Sequence, residues 1–172
     1  YEQIHSPAGE EELAVARRRL VFEELFLLAI GLKRLRGRRD ELACQPWRDT
    51  DLGDFYAALP FSLTGAQRRA IDGIRADLAS GRPMNRLVQG DVGSGKTMVA
   101  AAALLCAVRN GRQAALMAPT EILAEQHYQG LAPLLEKLGV RTVFLTGAMR
   151  VRERRAVLAA LESGEAQVAI GT

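Results

Sequence analysis

Eight consecutive residues, Gly90-Asp91-Val92-Gly93-Ser94-Gly95-Lys96-Thr97, fit the spacing G-x-x-x-x-G-K-[ST] at every fixed position. The chemistry needs these residue types. Gly90, Gly93 and Gly95 let the backbone curl so that successive N–H groups point inward, and a helix starting at the end of the loop adds partial positive charge. Lys96 is placed to reach β- and γ-phosphates, and Thr97 to offer a hydroxyl to Mg²⁺. Asp91, Val92 and Ser94 complete the cradle through their backbones. The chain has only three lysines, against twenty arginines, so a lysine at this position stands out.

The flanks carry further candidates. Upstream, in Leu59-Pro60-Phe61-Ser62-Leu63-Thr64-Gly65-Ala66-Gln67, Gln67 is suited to read adenine through paired contacts to N6 and N7, and Phe61 to lie against the base. The same Thr64-x-x-Gln67 spacing is a helix capping box, which allows Thr64 to cap while Gln67 turns to the base. Downstream, Pro119-Thr120 places a hydroxyl and free N–H groups at a helix start, suited to a phosphate oxygen. Leu145-Thr146-Gly147-Ala148 and Ile170-Gly171-Thr172 repeat the theme after later strands. All three turns fall at the strand C-termini, where open α/β sheets bind ligands.

These residues have to be positioned by a strand–helix alternation. The pattern predicts a helix over 64–80, a β run over Met84–Gln89 leading into the loop, and a helix over 97–109. A strand over Ala114–Ala118, a helix over 121–138, a strand over Arg141–Leu145, a helix over 150–162 and a strand opening at Gln167–Ile170 follow. Gly81, Gly111, Gly139 and Gly164 mark the helix ends. Such alternation predicts a parallel sheet covered on both faces. Residues 6–36 read as one long helix. Ser6-Pro7 starts it, Glu10–Glu12 lie at its positive end, Lys33, Arg34 and Arg36 at its negative end, and Gly37 stops it. Its Leu25–Leu32 stretch is apolar nearly all round, which predicts burial on several sides. Residues 37–60 lack a sustained period and read as a connector. The expected division is 1–59, helical linker and connector, and 60–172, an α/β nucleotide-binding lobe.

Composition bounds the remaining classes. The chain has 172 residues, 48% hydrophobic and 25% charged, which matches a globular protein and excludes a disordered tail or fibrous repeat. The longest apolar runs, Met98–Val108 and Leu25–Leu32, fall far short of the roughly 20 residues that span a bilayer. No membrane partner is expected. The first residues show no signal peptide, and the missing initiator Met suggests a piece of a longer chain. Cys44 and Cys106 read as two reduced thiols, too few for a disulfide framework or a zinc site. Residues 1–60 carry nine Lys/Arg against eleven Asp/Glu, and residues 61–172 fourteen against nine, so the second part is the better candidate for meeting polyanions.

Together Leu59–Gln67, Met84–Thr97 and Ala118–His127 resemble superfamily 2 helicases with RecA-like motors, specifically the RecG family of ATP-dependent DNA helicases. The helix with Ala16–Leu20 and Phe22–Phe26 is similar to that family's linker between a DNA-binding wedge domain and the motor. The resemblance implies an α/β fold, a P-loop NTPase with a RecA-like parallel sheet (an incomplete first helicase lobe) preceded by a long linker helix. It implies a monomeric motor, cytoplasmic and nucleoid-associated, that uses ATP and Mg²⁺ to remodel branched double-stranded DNA such as stalled forks and Holliday junctions. A single-stranded DNA-binding protein is implied as a further partner. By residue, Gln67 would read adenine, Gly93, Gly95, Lys96 and Thr97 would hold ATP and Mg²⁺, and Pro119, Thr120, Gly147 and Thr172 would face the DNA backbone. Ala148 stands where the family has Ser, so a hydroxyl contact is lost while the backbone N–H can remain. The family's D-E-x-H box would follow Thr172, so the chain as given is expected to bind nucleotide and hardly hydrolyse it.

Three other readings compete. A transcription-repair coupling translocase has a similar motor, but with Cys and Phe in place of Gln89 and Ser94. A small-molecule kinase needs a catalytic Asp or Arg after the P-loop helix, where this chain has Pro119-Thr120. A module that only holds nucleotide would show no salt-sensitive DNA binding.

Overall fold

A computed structural model of the protein describes residues 2–5, 7–40 and 43–172. The chain divides into two units, Tyr1–Ala43 and Cys44–Thr172.

The first unit holds a short helix, α1 (Glu2–His5), and a long one, α2 (Glu10–Asp40). Glu10–Glu12 lie in the first turn of α2, where they oppose the positive helix end. Arg19 and Glu23 pair one turn apart at 2.8 Å, and Phe22 stacks on Phe26 at 5.6 Å. The expected start at Ser6 lies outside the described residues. Gly37 does not stop the helix. Its φ is not positive, so no left-handed cap forms, and a glycine that keeps helical φ costs only about 1 kcal/mol. The burial expected for Leu25–Leu32 is not supplied within this unit: Leu25, Leu27 and Leu28 remain mostly exposed.

The second unit is an α/β layer structure. In chain order it contains α3 (Gly53–Ala58), α4 (Gly65–Ala79), α5 (Lys96–Arg109), β1 (Ala114–Met117), α6 (Glu121–Lys137), β2 (Thr142–Leu145), α7 (Val151–Glu162) and β3 (Val168–Gly171). The three strands form one parallel sheet in the order β1-β3-β2. β3 is central, and its Val168 and Ile170 are fully buried. α5 packs on β1, α4 and α6; α6 packs on β3 and β2; α7 packs on β2. The Ala- and Leu-rich α5 buries Val99, Ala101, Ala102 and Leu104–Ala107, so it is enclosed on nearly every side. α4 buries Ile71, Ile74 and Leu78 at helical spacing. Gly81, Gly111, Gly139 and Gly164 each follow a helix end with φ between 69° and 78°, a region L side chains rarely enter.

Two expectations are corrected in this unit. Met84–Gln89 forms no strand among the described residues. Apolar composition favours an extended run, but a strand also needs a ladder partner, and β1 bonds only to β3. The stretch is tied to α4 instead: Arg86 Nε donates to Asp77 Oδ2 at 2.7 Å, and Met84 and Val88 pack against the core. The connector is more ordered than its lack of period suggests. It contains α3, and Leu52 and Phe55 are buried in the same core as α4 and α5. Asn110 at the end of α5 holds it, accepting from the Arg48 and Asp49 amides at 2.9 and 3.2 Å and donating to the Asp49 carbonyl at 2.6 Å. Arg109 grips both Asp54 carboxylate oxygens, which holds that carboxyl below its ordinary pKa. Cys44 and Cys106 are both free thiols; burial raises the pKa of Cys106 and leaves it unreactive.

Candidate functional site

The Gly-rich loop lies between residue 89 and the start of α5, as the alternation requires. Gly93 and Gly95 adopt φ of 80° and 78°, and Gly95 is the N-cap of α5. A Cβ on Gly90 would lie 2.7 Å from Ser94 Oγ, so a side chain there would require the serine hydroxyl to turn away. Within the loop Ser94 N donates to Asp91 O at 3.2 Å, whereas the amides of Gly93, Gly95, Lys96 and Thr97 donate to no backbone carbonyl. These open donors surround the positive end of a 14-residue helix, an arrangement that fits the phosphates of a nucleotide. Asp91 and Val92 are exposed at the tip. The Thr97 hydroxyl sits in the first turn of α5. It can supply one oxygen to Mg²⁺, with phosphate and water supplying the rest.

Lys96 is held by its own loop. Its ammonium donates to the Gly90 and Asp91 carbonyls, both at 2.7 Å, although the residue is exposed. An ammonium has three donors, and two of them are taken up by the loop's own carbonyls. Phosphate oxygens are stronger acceptors and can draw it away.

Gln67 carries both readings offered by its spacing. Thr64 Oγ1 accepts from Gln67 N at 3.2 Å, and Gln67 Oε1 accepts from Thr64 N at 2.8 Å, a complete capping box. In addition Gln67 Nε2 donates to Ser94 O at 2.8 Å, inside the Gly-rich loop. Each polar atom of the amide thus keeps one further hydrogen-bonding position, the pair that adenine contact requires. Phe61 is half exposed and lines a cavity of about 270 Å³ with Tyr56, Leu59, Pro60 and Arg68. Arg68 lies 5.6 Å from the centre of the Tyr56 ring, and burial raises the Tyr56 pKa.

The three downstream turns meet at one edge. Met117 and Leu145 both stand in register with Gly171, so Ala118–Thr120, Thr146–Ala148 and Thr172 leave the sheet side by side. Ala118 N donates to Gly171 O at 2.8 Å, and Thr172 N to Leu145 O at 3.2 Å. Pro119, Thr120, Gly147, Ala148 and Thr172 are exposed, and Thr146 is buried. Thr120 caps α6, its hydroxyl accepting from Leu123 N at 3.3 Å. The Ala148 N–H is engaged, donating to Glu121 Oε1 at 3.1 Å. Glu121 was not anticipated as part of this edge, because its partner lies 27 residues away.

Residues 64–172 match the DEAD/DEAH box helicase family, well over half of the chain and including the Gly-rich loop and all three turns. The chain belongs to that family. Among its relatives, the ATP-dependent DNA helicase RecG of Synechocystis sp. is 46% identical over 99% of this chain and 21% of its own length. The RecG helicase of Bacillus subtilis is 44% identical over 98% of this chain and 25% of its own length. A solved structure of RecG bound to a three-way DNA junction superposes with a TM-score of 0.83 at 41% identity, covering the whole chain and 24% of that protein. This helicase segment therefore spans about a fifth to a quarter of the relatives it matches. The match to RecG extends through the long helix as well as the α/β unit. DEAD/DEAH box helicases use ATP, which agrees with the cradle at the start of α5. Among the described residues no helix of this helicase segment is long and apolar enough to cross a membrane.

Proposed function

We propose that this chain is the linker and nucleotide-binding part of the first motor lobe of a RecG-type DNA helicase, which spends ATP to remodel branched double-stranded DNA. The observation that carries the reading is the joint placement of a nucleotide cradle at the start of α5 and three exposed turns along one sheet edge. Gly90–Thr97 hold the phosphates, with Lys96 on the β- and γ-phosphates and Thr97 on Mg²⁺. Gln67 and Phe61 take the adenine. Pro119, Thr120, Gly147, Ala148 and Thr172 face the DNA backbone, Ala148 through its outer surface because its N–H is engaged.

Phosphoryl transfer also needs a group that orients the attacking water and charges that stabilise the transition state. Nucleotide holding is assigned to this stretch and turnover to the full polypeptide. Closure of two lobes around ATP would then drive movement along duplex DNA. The proposed setting is the bacterial cytoplasm at the nucleoid, with the helicase acting as a monomer near single-stranded DNA-binding protein.

The test is ATP hydrolysis by the full polypeptide that carries this chain, with forked DNA, linear duplex or no DNA added. Forks should stimulate more strongly than linear duplex. Hydrolysis indifferent to DNA would leave the cradle and remove the motor reading.

A further inference from the structure

The first two turns of α7 present an unusual charge arrangement. Arg150, the N-cap, is followed by Arg152, Arg154 and Arg155, all exposed. Arg150 and Arg154 are one turn apart, as are Arg152 and Arg155, so like charges face each other twice. Arg150 and Arg152 sit at the helix end whose dipole is positive, where cations are unfavourable. Glu153 is the one acidic residue in this stretch. Among the described residues, none of the four guanidinium groups forms an ion pair or a side-chain hydrogen bond. The arginines at 75, 86, 109 and 141 of the same unit each hold a carboxylate.

Local rules are therefore broken here without a compensating ion pair or side-chain hydrogen bond among the described residues, the pattern expected of a functional surface. The position of the cluster indicates the partner. Arg150 lies two residues after Ala148, whose N–H is tied to Glu121 at the start of α6. That bond fixes the start of α7 beside the start of α6, at the edge where Pro119, Thr120, Gly147 and Thr172 emerge. A polyanion following that edge would neutralise charge that the fold leaves uncompensated.

We propose that Arg150, Arg152, Arg154 and Arg155 form a phosphate-binding surface for duplex DNA, extending the edge of the three turns onto α7. This rests on the DNA-motor reading and names a further set of contacts for it. The contacts are sequence-independent: guanidinium groups meet backbone phosphates and release counterions.

The test uses the full polypeptide and measures duplex DNA affinity against salt concentration. Each phosphate contact contributes roughly 0.9 to the slope of log K on log salt. Changing all four arginines to Gln should make the slope shallower by about 2 to 4 and weaken binding at least tenfold at about 100 mM salt. DNA-independent ATP hydrolysis should be unchanged. The paired variants R150Q/R154Q and R152Q/R155Q should each remove part of the slope, and the four Arg→Lys changes should retain it. An unchanged slope in the Gln variants, with the parent still binding DNA in a salt-dependent way, would overturn the α7 surface and leave the motor reading intact. A parent that shows no salt-dependent DNA binding would overturn both.

Discussion

The side-chain amide of Gln67 donates to the backbone carbonyl of Ser94 at 2.8 Å, joining the start of α4 to the phosphate cradle. The same amide closes the capping box with Thr64. The two roles make separable predictions. Gln67→Ala removes both, so stability should fall by about 1 kcal/mol and the KM for ATP rise by roughly three- to tenfold, the worth of one hydrogen bond. Gln67→Glu keeps an oxygen for the Thr64 amide but turns an acceptor toward the Ser94 carbonyl. It should hold its melting temperature closer to the parent while losing ATP affinity. Equal losses of both properties in the two variants would show that the bond to Ser94 has no role of its own.

Lys96 gives a prediction of the opposite kind. Its ammonium bonds only the Gly90 and Asp91 carbonyls in an exposed loop, so Lys96→Ala should change folding stability by less than about 1 kcal/mol. With Lys96 on the β- and γ-phosphates as proposed, ATP turnover by the full polypeptide should fall by on the order of 10²–10³, because a charge aimed at the transferring phosphoryl group would be lost. A thermal melt and a phosphate-release assay on the same preparation separate the two effects.

Gly171 stands where β3 meets β2. A Cβ built there collides with the backbone carbonyl of Leu145. Backbone cannot swing aside as a side chain tip can, so Gly171→Ala should separate the strands and lower stability by about 3 kcal/mol. Gly147→Ala is the matched comparison. Nothing lies within 4 Å of its added Cβ and its φ is not positive, so denaturant midpoints should hardly move.

Much of the fold could be read locally. The glycines at 81, 111, 139 and 164, the Thr64–Gln67 box and the Gly90–Thr97 loop act within a few residues, and the chain places each where its spacing indicates. What could not be read depends on distant partners. Met84–Gln89 has strand composition, but pairing is decided by neighbours elsewhere in the chain. α3 has too short a run to show a period, and it is secured through Asp54 by Arg109, 55 residues further on. In the site, residue types indicated the cradle and the three turns. The Glu121 to Ala148 bond is a tertiary contact with no local signature, whereas the Lys96 bonds to Gly90 and Asp91 stay within the loop itself.

The Asp54–Arg109 pair carries a pH signature. Arg109 lowers the Asp54 pKa chiefly through its side-chain hydrogen bond, against a smaller opposing effect of burial. A folded pKa below the unfolded one stabilises the protein at pH above the ordinary carboxylate range near 4, and that gain is lost as pH falls through the depressed value. Asp54→Asn should therefore unfold at lower urea than the parent at pH 7, and the two midpoints should converge as pH falls below about 4. An unchanging gap down to pH 2.5 would assign the loss to packing, not charge.

Thr142 opens β2 with its side chain buried and its Oγ1 without a hydrogen-bond partner. A buried hydroxyl without a partner costs free energy that an isosteric methyl does not. Thr142→Val also suits a strand, where β-branched residues are favoured. Stability should rise by on the order of 1 kcal/mol, with ATP affinity unchanged because the residue begins the strand whose far end leads to Gly147. Urea denaturation of the parent and Thr142→Val decides it: a midpoint that falls would mean the hydroxyl is satisfied in solution, by water or by a shift of the strand.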